Sequence, residues 1–418
     1  MNSIRRRFFD FFAKARRLSA HRSYKRLLAG SFVSGIGDHI GYLAFLAAVS
    51  SQSSDVMAIG AISLSEMMPA IIAVPIVQYI IDRFDKRRLL QISDIARSIL
   101  FFISAFANIM PLYFICGFLS AAFTQLFEPS RQALEPQYVP EGEITQANGL
   151  RQSIMSMVMI LGPSLGAFLV GVFGFQTAFL VNAVSFAFSA IMVWDLEPQN
   201  KLETRTTTFK QELAGGYYAV RHNPVLIFLF LLMGLFNLVI GVQFPMIFIF
   251  AKEALHGGTS ETGWLFSSMG IGGIVCGFIM ASIPKERRPF DVATVRGRKN
   301  LSLIVMLDGI VVLLFTLFTT LLPVMALYTI FGVIGTCFWV SITTAIAEQT
   351  SEEYRGRVFS LYQAIRSPML VISIGLGMPL VHEIGSVRMF QYSGTLEVVL
   401  AIAAILYAPK VKQNLALA

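Results

Sequence analysis

The chain has 418 residues, 55% hydrophobic and 14% charged, with a net charge of +8 and a mean hydropathy of +0.66. Soluble proteins of this length hold about two or three domains, but 36 Phe residues are too many for one water-soluble core, and long apolar stretches recur as they do in membrane proteins. The basic residues lie between apolar segments and not on one polar module, which argues against a nucleic-acid partner.

Residues 1–26 form a basic cytoplasmic arm. Its stretch RRRFFDFFAKARRL sets Phe8 and Phe12 one helical turn apart among Arg and Lys, the pattern of an interfacial helix on anionic lipid. The first apolar span ends AFLAAVSS, so a cleaved secretory signal is the rival reading; eleven further spans favour a signal anchor.

A bilayer core of about 30 Å takes about 20 apolar residues per helix. On that scale the chain carries twelve spans, at 27–50, 56–81, 89–109, 111–130, 146–172, 175–194, 224–250, 261–283, 300–319, 321–346, 358–381 and 388–408. The last begins with the polar stretch MFQYSGTLE and is the weakest of them. Of the 33 Lys and Arg residues, 28 fall in the arm, the tail and alternate loops on one side, against Lys252 and Arg388 on the other, and Arg97, Arg151 and Arg366 fall within spans. That asymmetry places both termini in the cytoplasm and requires an even number of spans.

The polar stretch 195–223 divides the spans into two halves of six, 27–194 and 224–408, followed by a tail at 409–418. Its second part, FKQELAGGYYAVRHNP, predicts a helix with Pro224 opening the next span. The halves are weakly alike: Gln137 to Leu150 aligns with Gln349 to Tyr362, and Asp94 early in span three has a counterpart in Asp308 early in span nine. The expected fold is therefore an all-α integral membrane protein with twelve transmembrane helices in two six-helix, pseudo-symmetric halves.

Six charges crowd into the loop between spans two and three: Asp82, Arg83, Asp85, Lys86, Arg87 and Arg88. This DRFDKRR stretch resembles the loop motif of the major facilitator superfamily (Gly-x-x-x-Asp-Arg-x-Gly-Arg-Arg), with Gln78 and Asp85 at the two glycine positions. EPSRQALEPQYVPEGEITQANGL after span four and FKQELAGGYYAVRHNPVL before span seven resemble the bacterial branch that holds macrolide efflux proteins and the enterobactin exporter. The resemblance covers nearly the whole chain. It implies secondary-active export of drugs or siderophores, commonly by proton antiport, with no cofactor beyond the proton gradient, from a monomer in the bacterial inner membrane.

GPSLGA in span five (Gly162, Pro163, Gly166) resembles the antiporter motif of that superfamily, with Val158 and Ala167 in place of two glycines. Tight helix packing with a kink explains it equally well.

Ionisable groups inside the membrane cost several kcal/mol unless they are paired, neutral or wetted. Asp38 in GIGDHIG lies twelve residues past Arg26, about 18 Å deep. Glu66 in ISLSEMMPA lies sixteen residues before Asp82, about 24 Å deep. Both are candidates for proton coupling or substrate binding, against a structural hydrogen-bonded role; His39 points elsewhere. Arg366 in span eleven either snorkels to the interface or faces the cavity, where it binds an anion or neutralises Glu66. By the resemblance, Asp82 latches the halves at the N-terminus of span eleven, with Arg83, Arg87, Arg88, Glu128 and Arg131 around it, against the alternative of a solvated topology charge. Lys86 is read as a solvated topology charge.

Cys116, Cys276 and Cys337 sit in apolar segments without metal-ligand spacing, and the five His are scattered, so no metal is expected. With no P-loop and no G-x-S-x-G elbow, the chain reads as a transporter and not an enzyme. Its expected substrate is an amphipathic, drug-like molecule; a siderophore or other metabolite is the alternative, and lipid transport by the same fold a third. A receptor that binds without moving its ligand is separated from these by a flux assay.

Overall fold

The computed structural model describes residues 21–53, 55–72, 80–81, 83–139, 144–194, 196, 209–282 and 291–411, and all regular structure among them is helical. Helix lies at each of the twelve expected spans, although in span two only 56–72 and 80–81 are described. Eight stretches among the described residues are long and apolar enough to cross a membrane.

Helix α1 covers Arg22–Gln52. α2 (Val56–Met67) and α3 (Pro69–Ile72) are separated at Met68, because the following proline brings no N–H to the helical ladder. α4 (Lys86–Phe106) starts where Asp85 accepts the Arg87 N–H at 2.8 Å. α5 (Met110–Leu134) passes into a 3₁₀ turn at Glu135–Tyr138. α6 (Ile144–Trp194) holds spans five and six, broken at Gly174, whose φ of 82° suits glycine.

The linker helix α7 is Phe209–Arg221. Pro224 opens α8 (Pro224–Ile240), and Asn223 caps it by accepting the N–H groups of Val225 and Leu226. Span seven is interrupted before α9 (Gln243–Glu253), where the Val242 N–H donates to Ser373 Oγ at 3.0 Å. α10 (Thr259–Ser282), α11 (Val295–Phe315), α12 (Leu321–Glu348), α13 (Glu352–Ile384) and α14 (Ser386–Tyr407) complete the chain. The polar start of span twelve is helical throughout, and it is anchored at its first turn: Ser386 donates from both N and Oγ to Glu253 Oε2, at 2.9 and 2.6 Å.

The described residues fall into two compact units, one drawn from Met1–Ser54 and Ser65–Thr204, the other from Asp55–Leu64 and Arg205–Ala418. In the first, α1 packs along α6, and α4 packs on α5 and α6. Phe45, Phe101, Tyr113, Phe179 and Phe186 stack into its aromatic core. The GPSLGA glycines face α1: a Cβ on Gly162 would lie 2.5 Å from the His39 ring, and one on Gly166 would lie 3.0 Å from the Ile40 backbone. The motif is thus a helix-packing surface in this structure.

In the second unit, α10 lies on α12 and α11 on α14. Asp55–Leu64 joins it through Gly60, which packs against Met378 of α13. Phe250, Phe315, Phe390 and Tyr328 form an aromatic cluster. Large apolar side chains such as Val184, Ile191, Leu376 and Leu406 remain exposed on the helices, as suits a protein whose outer solvent is hydrocarbon.

The α10–α12 contact depends on glycine. A Cβ on Gly332 would meet the Met269 carbonyl oxygen at 1.8 Å, whereas Gly335, three residues on, has nothing within 4 Å. Gly332→Val should lower the thermal unfolding temperature of the detergent-purified protein, at a cost of about 1–3 kcal/mol. Gly335→Ala should leave it unchanged. Equal effects of the two substitutions would contradict this packing.

Candidate functional site: a shared arginine and its carboxylates

Arg97 is, with Arg131, one of two buried arginines among the described residues of the first unit. It sits three turns into α4 and is only 1% exposed. Its Nη2 bonds Asp94 Oδ1 at 2.5 Å, and Asp94 is 0% exposed. The spacing makes this possible, since residues three apart share one helix face. Nη1 reaches Thr124 Oγ1 on α5 at 3.3 Å and Asp38 Oδ1 on α1 at 3.5 Å. The rings of Phe186 and Phe127 lie 4.1 and 4.7 Å from the guanidinium carbon, adding cation–π attraction.

The two carboxylates are held differently. Asp94 is closed off, while Asp38 keeps 41% of its side-chain surface accessible and shares Arg97 over a longer distance. Gly37 and Gly41 allow this part of α1 to approach α6, because a Cβ at either would fall within 2.5 Å of Asn182. Glu66, half-buried on α2, lies near enough to Asp38 for the two carboxylates to repel. The arrangement can therefore pass charge: Asp38 can take up a proton from its open side, loosening its hold on Arg97, while Asp94 keeps the guanidinium compensated.

Sequence reading found Asp38 and Glu66 by depth, but passed over Arg97 as one more charge within a span and Asp94 as a repeat marker. The available signal was Asp-x-x-Arg inside an apolar helix.

A second charge cluster lies at the end of α5. Arg131 is buried and bonds Glu128 through two nitrogens, with Nε to Oε2 at 3.0 Å, and Glu135 Oε2 at 2.6 Å. Arg151 stands 3.5 Å from Glu135. Burial pushes the Glu135 carboxyl above the usual range, against the opposing pull of Arg131 and Arg151. Sequence reading named Glu128 and Arg131 but not Glu135 or Arg151, whose meeting needs the turn after α5.

Asp82, the expected latch, lies outside the described residues. Arg83 and Arg88 are exposed, and Arg87 donates to the Trp194 carbonyl at the end of α6. Lys86 corrects the expectation of a solvated charge: it is 8% exposed, because it lies in the first turn of α4 with its side chain folded into the protein. In the second unit, Arg366 is partly buried, and its guanidinium carbon sits 5.1 Å over the Trp339 ring. Among the described residues, no group of three or more His, Cys, Asp or Glu could hold a metal ion.

Removing Arg97 alone strands the buried Asp94. Arg97→Leu should destabilise the purified protein by about 3–5 kcal/mol. Arg97→Leu with Asp94→Leu should recover most of that loss in thermal unfolding. A double variant no more stable than the single one would show that the pair is not energetically coupled.

Residues 27–376 match the family model of the Major Facilitator Superfamily. An uncharacterized MFS-type transporter, YfiS of Bacillus subtilis (strain 168), is 24% identical over 396 residues, covering 91% of this chain and 92% of the relative. Macrolide efflux protein A of Streptococcus pyogenes is 25% identical over 390 residues, covering 90% and 93%. Among solved structures, a POT family transporter in complex with 5-aminolevulinic acid superposes with a TM-score of 0.69 at 15% identity, covering 92% of this chain and 96% of its own. The nucleoside transporter NupG superposes with a TM-score of 0.68 at 14% identity, covering 93% and 100%. These structures share the fold. The helices, the buried charges and the family match together make this chain a multi-pass membrane transporter that belongs to the Major Facilitator Superfamily.

Proposed function

We propose that the protein is a secondary-active exporter of an amphipathic, drug-like small molecule, driven by proton antiport through alternating access. The observation that carries this reading is the Asp38 carboxyl, half-exposed and 3.5 Å from an Arg97 already committed to Asp94. A carboxylate so placed is stable both with and without its proton, as a coupling group requires. Ionised, Asp38 and Glu66 offer a negative pair suited to a cationic or neutral substrate. A proton arriving at either removes that attraction, so proton and substrate compete for the same carboxylates. The likeness to macrolide efflux protein A supports an amphipathic substrate and the outward direction.

In this reading the chain works as a monomer in the bacterial inner membrane, with both termini in the cytoplasm, as the basic loops favour. Asp82, with Arg83, Arg87, Arg88, Glu128 and Arg131, serves as the cytoplasmic latch that breaks and remakes in each cycle. A dedicated exporter of an anionic metabolite such as a siderophore is the second reading. It is favoured by Arg366, whose Nε has no hydrogen-bond partner among the described residues and whose charge lies against Trp339.

An efflux-deficient bacterium expressing the protein should survive lipophilic drugs at several-fold higher concentration than the empty host, and a protonophore should abolish that margin. Asp38→Asn with Glu66→Gln should lose it while remaining in the membrane. Full resistance with unchanged pH dependence in this double variant would discard the coupling sites. Should no drug give resistance, Arg366→Ala is the informative variant: loss of export of an anionic chelator into the medium would establish the second reading.

A further inference from the structure

The second unit contains a pair of acids that the site above does not use. Asp308 on α11 is 2% exposed and Glu397 on α14 is 0% exposed, and the two lie on facing turns of packed helices: a Cβ on Gly309, next to Asp308, would stand 2.8 Å from the Glu397 Cβ. The helices meet closely here because Gly309 faces Gly394: the same Cβ would stand 2.5 Å from the Gly394 carbonyl oxygen. Gln243 of α9, itself buried, donates its amide Nε2 to Glu397 Oε1 at 2.6 Å and to Ser393 Oγ at 3.0 Å.

Hydrogen-bond accounting leaves this cluster short of donors. Among the described residues, Asp308 Oδ2, Glu397 Oε2 and Gln243 Oε1 have no partner. Two ionised carboxylates are acceptors only, so facing acids can bond one another only when one holds a proton. Among the described residues, no ion pair joins a cation to either acid. Lys299 on α11, Arg388 on α14 and Lys252 on α9 each lie nine residues along their helices, about 14 Å away. α12, which packs on α11, contributes Tyr328, engaged with Phe315. α8 carries no ionisable side chain, and on α13 Tyr362 and Arg366 are engaged with Phe230 and Trp339. Two bare negative charges cannot be held in such surroundings without compensation.

We propose that Asp308 and Glu397 form a proton-binding site inside the second unit, sharing one proton, with the Gln243 amide fixing the acceptor oxygen of Glu397. The first unit answers a buried aspartate at the matching position of the repeat with Arg97; the second answers it with a second acid and a proton. The site is separate from Asp38 and Glu66. A part in driving export rests on the proton-antiport reading above; proton binding does not.

Infrared spectroscopy of the full chain in lipid nanodiscs at neutral pH reads the C=O stretch of protonated carboxyl groups. The expected result is a band removed by Asp308→Asn and by Glu397→Gln but kept in the Asp38→Asn, Glu66→Gln variant. A spectrum in which neither single substitution removes a band overturns the site. Sodium ions that remove the band at constant ionic strength would mark a cation site and also overturn it. Asp308→Asn is expected to fold, because the Asn amide can donate to Glu397 in place of the shared proton. Thermal unfolding supplies the second measurement. The wild type should lose several degrees as rising pH strips the proton and leaves two facing charges, and Asp308→Asn should stay level over the same range; parallel curves would count against the proposal. Neither readout needs a transport substrate, so failure of the exporter reading leaves this site standing, and failure of this site leaves the drug-resistance test intact.

Discussion

Arg97 is the interaction on which the first unit turns. A guanidinium with 1% exposure among apolar helices is tolerable only because Asp94 bonds it directly, Asp38 shares it, and two aromatic rings cover its faces. That requirement ties together three helices. α4 brings the arginine and its fixed partner, α1 brings the partner that keeps access, and α6 supplies both the Phe186 ring and the small residues that let α1 come close. The glycines at 37, 41, 162 and 166 follow from the same constraint, since each removes a side chain from a contact that the charge cluster needs to be short.

The two units meet one physical problem in different ways. Each has a buried aspartate early in the third span of its half, at Asp94 and at Asp308. In the first, compensation comes from a cation on the same helix one turn on. In the second the equivalent turn is apolar, with Val311 in the place of an arginine, and the compensating group is an acid from α14. An internal repeat thus preserves the position of a buried charge while leaving open what neutralises it. The choice has consequences, because an arginine cannot give up its proton at any biological pH and a shared carboxyl proton can be exchanged.

Much of the fold was legible because the membrane imposes a one-dimensional rule. Each crossing must satisfy its own backbone hydrogen bonds, so length and apolarity along the chain locate helices at all twelve expected places. Proline marked the opening of span seven at Pro224 for a similarly local reason. The interruption of span seven before Gln243 was not legible, since it depends on Ser373, some 130 residues away in sequence, receiving the Val242 N–H. Lys86 was misread on similar grounds: a charge next to other charges in a loop looks solvated until the first turn of α4 folds it inward.

For the site, depth arithmetic was enough to single out Asp38 and Glu66, because distance along a helix is linear in residue number. It could not rank Arg97, whose importance lies in meeting Asp38 from another helix, nor foresee Glu135 beside Arg151 or Glu397 beside Asp308. By itself the sequence determined that this is a helical membrane protein of two six-span halves, and which charges lie deep. Only the tertiary structure decided which of those charges are neighbours. The physical reason is that the cost of a buried charge is settled by atoms within about 4 Å, and those atoms come from spans that the chain order keeps far apart.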